Sequence, residues 1–281
     1  MTGHRSSISC FDQIFNKANT ENYNLSIRFQ PDGLFYSFFN PEESKYIGFE
    51  SVLIPSLPEF YTFIEQNPLL RSNYKKVFCI VPSRHYTIIP SSLFLREYSK
   101  EYLPLLNDVE ITEVIKSTSI FSENAELVYG VELAYMHLIS EFFNNACVLP
   151  GVAAFIDFVL FRYRSINSTG LFLNLNKDNF DLLMIEQGKM KFCNNFNYKA
   201  PEDLVYYTIF VADQMRINVD SAQIQLFGDI STKSDIIRLL KKYLRTVNLS
   251  EANKDINLSY ALSEIQPYRY PDLFNPRLCE L

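Results

Sequence analysis

Gly170-Leu-Phe-Leu-Asn-Leu175 is an apolar strand, and the residues after it decide the fold. A polar turn at Asn176-Lys-Asp-Asn179 leads into a second strand, Phe180 to Glu186. Gln187-Gly188-Lys189 forms a tight turn, and a third strand follows from Met190 to Phe196. Pro201-Glu-Asp suits the first turn of a helix, because proline has no N–H to lose there and acids favour the N-terminal end. That helix runs to about Met215, a further strand spans Gln223 to Phe227, and Gly228-Asp229 ends it. A three-strand meander, a crossover helix and another strand make a compact α/β lobe.

The first half of the chain repeats this layout without repeating its sequence. Strands are expected at Leu25–Phe29, Leu34–Phe39 and Tyr46–Ile54, with a helix from Ser56 to Gln66 and a buried strand over Lys75–Val81. Pro31-Asp32-Gly33 supplies a turn in which glycine is free to take positive φ. Pro82 to Ile89 continues extended, and Leu93 to Leu106 has helical spacing. A strand at Ala125–Val131, a helix at Glu132–Phe143, a short extended piece at Cys147–Leu149 and an apolar helix at Val152–Tyr163 complete the half. The polar run Ser165–Thr169 reads as a linker. The expected organisation is a leader over residues 1–24, with a short amphipathic piece at Ile8–Ile14, a first lobe over 25–164 and a second lobe over 165–281. A helix at Lys233–Leu244 and a tail from Ser250 to Leu281, irregular or in short helices, belong to the second lobe.

Composition narrows the function classes. With 47% hydrophobic and 21% charged residues the chain can bury a large core. A formal charge of −6 argues against a dominant phosphate-binding surface. Five scattered cysteines form no CxxC pair, which suits reduced thiols in the cytoplasm. No stretch reads as a signal peptide or a membrane span. The eight glycines never lie closer than 15 residues, so neither a P-loop nor a GxGxxG exists. His4, His85 and His137 have no metal-ligand spacing. His137 reads as an ordinary helix residue. His85 follows a strand, where α/β sites gather, yet also fits a plain loop.

Leu149-Pro150-Gly-Val-Ala153-Ala154, the helix to Tyr163, the Leu171–Leu175 strand and the hairpin through Gln187-Gly188-Lys189 together resemble the actin-like ATPases, notably their pilus-assembly and cell-division branches. The layout also resembles an uncharacterised family known from Bacteroidetes with that architecture. The resemblance implies an α/β fold of mixed sheets, with duplicated ribonuclease-H-like lobes as in the actin-like ATPase fold, and a nucleotide cleft between them. The chemistry departs from the family. Asn174 stands where the ATPases place a strand-end Asp, and Asn176-Lys177-Asp178-Asn179 replaces a Gly-rich phosphate turn. Only a residue without Cβ lets backbone N–H groups approach phosphate closely. The first lobe reads Ile27-Arg-Phe-Gln-Pro-Asp32-Gly33, and Leu25–Phe29 carries no carboxylate for a nuclease metal. The adenosine-side glycine pair is reduced to Gly228-Asp229.

The vestigial cleft positions are therefore Asp32, Gly33, Asn174, Asn176, Asp178, Gly228 and Asp229. Each has a plain reading beside the functional one: Asp32-Gly33 as a hairpin turn, Asp178 as an exposed turn acid, Gly228 as the end of a strand. The expectation is a non-catalytic cytoplasmic scaffold that binds a protein partner and has neither catalytic residues nor a cofactor or metal; ATP with Mg²⁺ is not expected. The alternatives are a divergent ATP-binding enzyme, and an accessory protein that touches nucleic acid through Lys233, Arg238, Lys241, Lys242 and Arg245.

Overall fold

The computed structural model describes residues 6–105, 109–120, 122–165, 168–219, 221–231, 234–250 and 256–275. In chain order the first half contains β1 (Ser6–Phe11), β2 (Asn24–Gln30), β3 (Gly33–Asn40), β4 (Lys45–Leu53), α1 (Leu57–Gln66), β5 (Lys76–Val81) and β6 (Tyr86–Pro90). It continues with α2 (Ser99–Tyr102), β7 (Glu113–Ile120), β8 (Ala125–Glu132), α3 (Leu133–Phe142), β9 (Cys147–Pro150) and α4 (Gly151–Tyr163). The second half contains β10 (Thr169–Leu175), β11 (Asn179–Glu186), β12 (Lys189–Asn197), α5 (Pro201–Gln214), β13 (Gln223–Gly228), α6 (Asp235–Tyr243) and β14 (Val247–Leu249).

Two sheets share one plan. The first has the order β1-β4-β3-β2-β5-β9 and the second β12-β11-β10-β13-β14. In each, a three-strand antiparallel meander is extended by parallel strands that follow a helix. Parallel strands need such crossovers, and their helices cover the sheet faces, which is why β2, β10 and β11 are buried almost end to end. The helix α4 is buried from Val152 to Leu160. It leaves the last strand of the first sheet and sets Phe155 and Phe158 edge-on against Phe227 of the second, with ring centres 5.5 and 6.0 Å apart. That contact fixes the two sheets around one apolar wedge.

The local signals account for these elements. Gln187 and Gly188 both have positive φ, 52° and 73°, the backbone that a two-residue hairpin requires. Asp203 accepts from the backbone N–H groups of Lys199 and Ala200 at 2.8 and 3.0 Å, which starts α5 beside Pro201. Ser234 caps α6 by accepting from Ile236 N–H, and Ile237, Leu240 and Leu244 lie on the buried side.

Several expectations are corrected. Ser6–Phe11, read as part of a leader, is an edge strand paired antiparallel with β4. Leu93–Leu106 is no single helix: within 93–105 it forms short helical turns around Ser99–Tyr102, while Leu106 lies outside the described residues. Leu93, Leu95 and Leu105 are exposed, so no apolar face stabilises a longer helix, and Pro104 removes a backbone donor. Tyr86–Pro90 leaves the first sheet and joins a separate sheet, β6-β8-β7. Gly33 does not need positive φ; its role is close approach, since a Cβ there would stand 2.7 Å from the Val52 carbonyl oxygen. The tail, assigned with the second lobe, packs on the first sheet: Tyr270 and Phe274 stack around Phe49, and Ser37 Oγ donates to the Leu273 carbonyl. Of the basic run on the α6 helix, Lys233 lies outside the described residues, as do Ile166 and Asn167 of the linker.

Candidate functional site

Between the two sheets lies a cleft of about 360 Å³. Its walls come from the carboxyl ends of β2 and β5, the first turn of α4, the β10–β11 turn and the residue after β13. Strand ends at such a junction are where ligands bind in open α/β sheets. Asp32, Asn174, Asn176, Asp178 and Asp229 all line it. Gly33 and Gly228 adjoin lining residues and do not themselves face the cleft. His85 turns away, its Nδ1 3.0 Å from Glu113 Oε2.

Side chains hold the turns that frame the cleft. In the β10–β11 turn, Asn176 N–H donates to the Asn179 carbonyl at 2.8 Å, and Asn176 Nδ2 donates to Asn179 Oδ1 at 3.0 Å. Tyr198 Oη closes the same turn on the Asn176 carbonyl at 2.5 Å. Gly228 has φ +82°, and a Cβ there would fall 2.1 Å from the Leu175 carbonyl oxygen. Backbone geometry therefore explains this glycine without a ligand.

Ion pairs cross the mouth. Lys177 Nζ stands 3.2 Å from Asp32 Oδ2, and Arg84 Nη2 stands 2.7 Å from Asp178 Oδ2. Each joins a turn of the first half to the β10–β11 turn. Burial raises the Asp178 carboxyl, but hydrogen bonds from Arg84 and Asn179 outweigh it and hold the group below the usual carboxylate range. Deeper in, Arg28 bonds Asp272 through two nitrogens, at 3.2 and 3.3 Å, and donates from Nη2 to Asn176 Oδ1 at 3.2 Å. Gln30 also sets its amide oxygen 2.6 Å from Nη2 in the orientation that satisfies both groups. Burial raises the Asp272 carboxyl, and the Arg28 charge works against that rise.

The floor holds a second polar centre. Asn174 and Asp181 are cross-strand partners on β10 and β11, and Asn174 Nδ2 donates to Asp181 Oδ2 at 3.3 Å. Asn195 Nδ2 and Tyr86 Oη also donate to Asp181, at 2.8 and 3.2 Å. Burial pushes the Asp181 carboxyl up to about 6, against the pull of these hydrogen bonds. Thus the carboxylate absent from position 174 stands directly across the ladder at 181. Sequence reasoning overlooked Asp181, Asp272 and the pairing roles of Arg28 and Arg84. For Asp181 a signal existed: it is the one charged residue inside the apolar run Phe180–Ile185.

Chemically, the site is poor in free cations and rich in acids. Five aspartates line it against two arginines and one lysine, and each of those three cations already meets a protein acceptor. Among the described residues no group of three or more His, Cys, Asp or Glu is placed to hold a metal ion.

A family profile described as "Protein of unknown function (DUF3822)" matches residues 12–247. No curated protein matches the chain in sequence. In structure, a Bacteroides thetaiotaomicron VPI-5482 protein, described as having an actin-like ATPase fold and unknown function, is similar with a TM-score of 0.79. The two share 23% identity, and the match covers 86% of this chain and 96% of that one. A chain of the PilM–PilN type IV pilus biogenesis complex is similar with a TM-score of 0.64 at 10% identity, covering 91% of this chain and 98% of its own. The two sheets and the helices that join them accordingly make an actin-like ATPase fold.

Proposed function

Because the chain belongs to the DUF3822 family of proteins of unknown function and has an actin-like ATPase fold, we propose that it is a non-catalytic interaction or scaffold protein built on ribonuclease-H-like lobes whose phosphate loops have degenerated. One observation carries this reading: the cations facing the cleft are committed to ion pairs within and across it, Lys177 to Asp32, Arg84 to Asp178 and Arg28 to Asp272. A triphosphate would have to break these pairs and then face the surrounding aspartates. The glycines that would let backbone N–H groups take over are missing from both turns.

The fold shared with a chain of the PilM–PilN complex supports a role in binding a protein partner. A cytoplasmic setting fits the free thiols of Cys10, Cys79, Cys147 and Cys193. Among the described residues no helix is long and apolar enough to cross a membrane.

Isothermal titration with ATP and Mg²⁺ tests the reading. Affinity no tighter than about millimolar, worth roughly 4 kcal/mol, is the expected result. Micromolar affinity that is lost on substitution of Asn174 or Asp178 would replace it with the divergent-ATPase reading.

A further inference from the structure

Asp181 is 4% exposed and lines the cleft. Its three hydrogen-bond donors, Asn174, Asn195 and Tyr86, are all neutral. Arg28 lines the same cleft but spends its guanidinium on Asp272, Asn176, Gln30 and the Arg269 carbonyl. Arg28 therefore acts on Asp181 only through space, and a buried carboxylate hydrogen-bonded to neutral dipoles alone recovers only part of its lost hydration.

A second, independent feature adjoins it. Asn174 is 7% exposed, lines the cleft, and its Oδ1 has no hydrogen-bond donor among the described residues. Buried amide oxygens are normally satisfied, so an orphan at a cleft floor marks a position for a donor. Asn174 Nδ2 donates to Asp181 Oδ2 at 3.3 Å, so the orphan oxygen and the buried carboxylate belong to two adjoining residues of the same cleft floor.

A group complementary to this floor therefore donates hydrogen bonds and carries positive charge. Phosphate does neither. An ammonium does both, with three N–H donors and no acceptor. Phe29, Ile80, Val81 and Val152 supply apolar wall for a short methylene chain, and a volume of about 360 Å³ is of the size that holds a small molecule. We propose that the cleft floor, Asp181 with Asn174, binds the ammonium head of a small aliphatic amine. This rests on reading the cleft as something other than a triphosphate site, and it names the ligand class for that cleft.

The test titrates the full chain with n-butylamine, 1,4-diaminobutane and spermidine, followed by calorimetry and thermal shift, with butane-1,4-diol as the uncharged isostere. Saturable binding of at least one amine, a raised Tm and silence from the diol are expected. Asp181→Asn and Asn174→Leu should each weaken binding about tenfold or more, since each removes a partner of a charged donor. Asp181→Asn keeps the shape of the residue, and circular dichroism and urea melts establish that both variants fold. Equal binding of the diol, or amine affinity unchanged in folded Asp181→Asn, overturns the proposal. Silence from every amine together with silence from Mg·ATP sinks this inference and leaves the interaction-protein reading standing. Micromolar binding of Mg·ATP sinks both.

Discussion

Arg28 and Asp272, 244 positions apart, form a two-nitrogen ion pair with both side chains less than a tenth exposed. The pair ties the first sheet to the C-terminal tail at the wall of the cleft. Nη1 donates to Oδ1 at 3.3 Å, and Nε stands 3.2 Å from Oδ2. The pair therefore orders the site and the tail together.

Removing Arg28 alone should be severe. Arg28→Met leaves Asp272 buried without its cation, a change that costs about 3–5 kcal/mol in comparable buried pairs. Arg28→Met with Asp272→Asn should recover most of the loss, because the stranded charge disappears with its partner. Urea unfolding of the two single variants and the double variant measures the coupling. If Arg28→Met unfolds like the parent, the pair does not hold the tail.

Gly228 should resist substitution for steric reasons. At φ +82° an L side chain is already strained by about 1–3 kcal/mol. The added Cβ would also collide with the Leu175 carbonyl oxygen and amide nitrogen, which are backbone atoms and can yield only if the strand itself shifts. Gly228→Ala should lower Tm clearly, and adding ATP should not change the size of the drop. A variant as stable as the parent would show that β13 ends differently.

The parts of the fold legible in the sequence are those set by neighbours in the chain. The β10–β11–β12 meander could be read because apolar strands alternate with turns of Asn, Asp and Gly, and α5 could be read from Pro201 and Asp203. β1 was missed because Ser6–Phe11 is a serine-rich edge strand whose partners on β4 lie about forty residues further along the chain. β7 was missed because it is half exposed and stabilised by pairing with β8 rather than by an apolar run. The turns that carry Asp32, Asn176 and Asp178 were legible from the same chemistry, but their place along one cleft was suggested only by the resemblance to the actin-like ATPases. Arg28 with Asp272 was not legible, since nothing local to either residue specifies a partner across the whole chain. Asp181 lay between: an acid inside a buried strand is visible, but its partner Asn174 emerges only when the hairpin register is known.

Asp181 also predicts the shape of the stability–pH curve. Its folded pKa, about 6, is raised above the ordinary 3.8, so the protonated group favours the folded state. The contribution is complete below the unfolded value and is lost as pH rises through the folded one. Two units correspond to about 3 kcal/mol. Asp181→Asn lacks this titration, so between about pH 4 and pH 7 its stability relative to the parent should improve by that order. Urea melts at several pH values measure it. A stability difference that stays flat with pH would place the Asp181 carboxyl in solvent instead.

The pairs across the cleft mouth should matter for motion more than for stability. Lys177 is 81% exposed at its side chain and Asp32 49%, while Arg84 and Asp178 are about half exposed. Ion pairs so open to water contribute about 0–1 kcal/mol each. Lys177→Ala with Arg84→Ala should therefore leave the denaturation midpoint nearly unchanged. The same double variant removes the side-chain links between the β10–β11 turn and the loops at Asp32 and Pro82–Arg84. Amide exchange there reports local opening, which needs far less energy than global unfolding. Faster exchange at the turn in the double variant, with unchanged exchange in β10 and β11, is the expected pattern. Raised salt should reproduce it in the parent, because exposed pairs are screened. Exchange that is indifferent to both the substitutions and the salt would mean that Arg28, Asn176 and Tyr198 alone hold the cleft in its present shape.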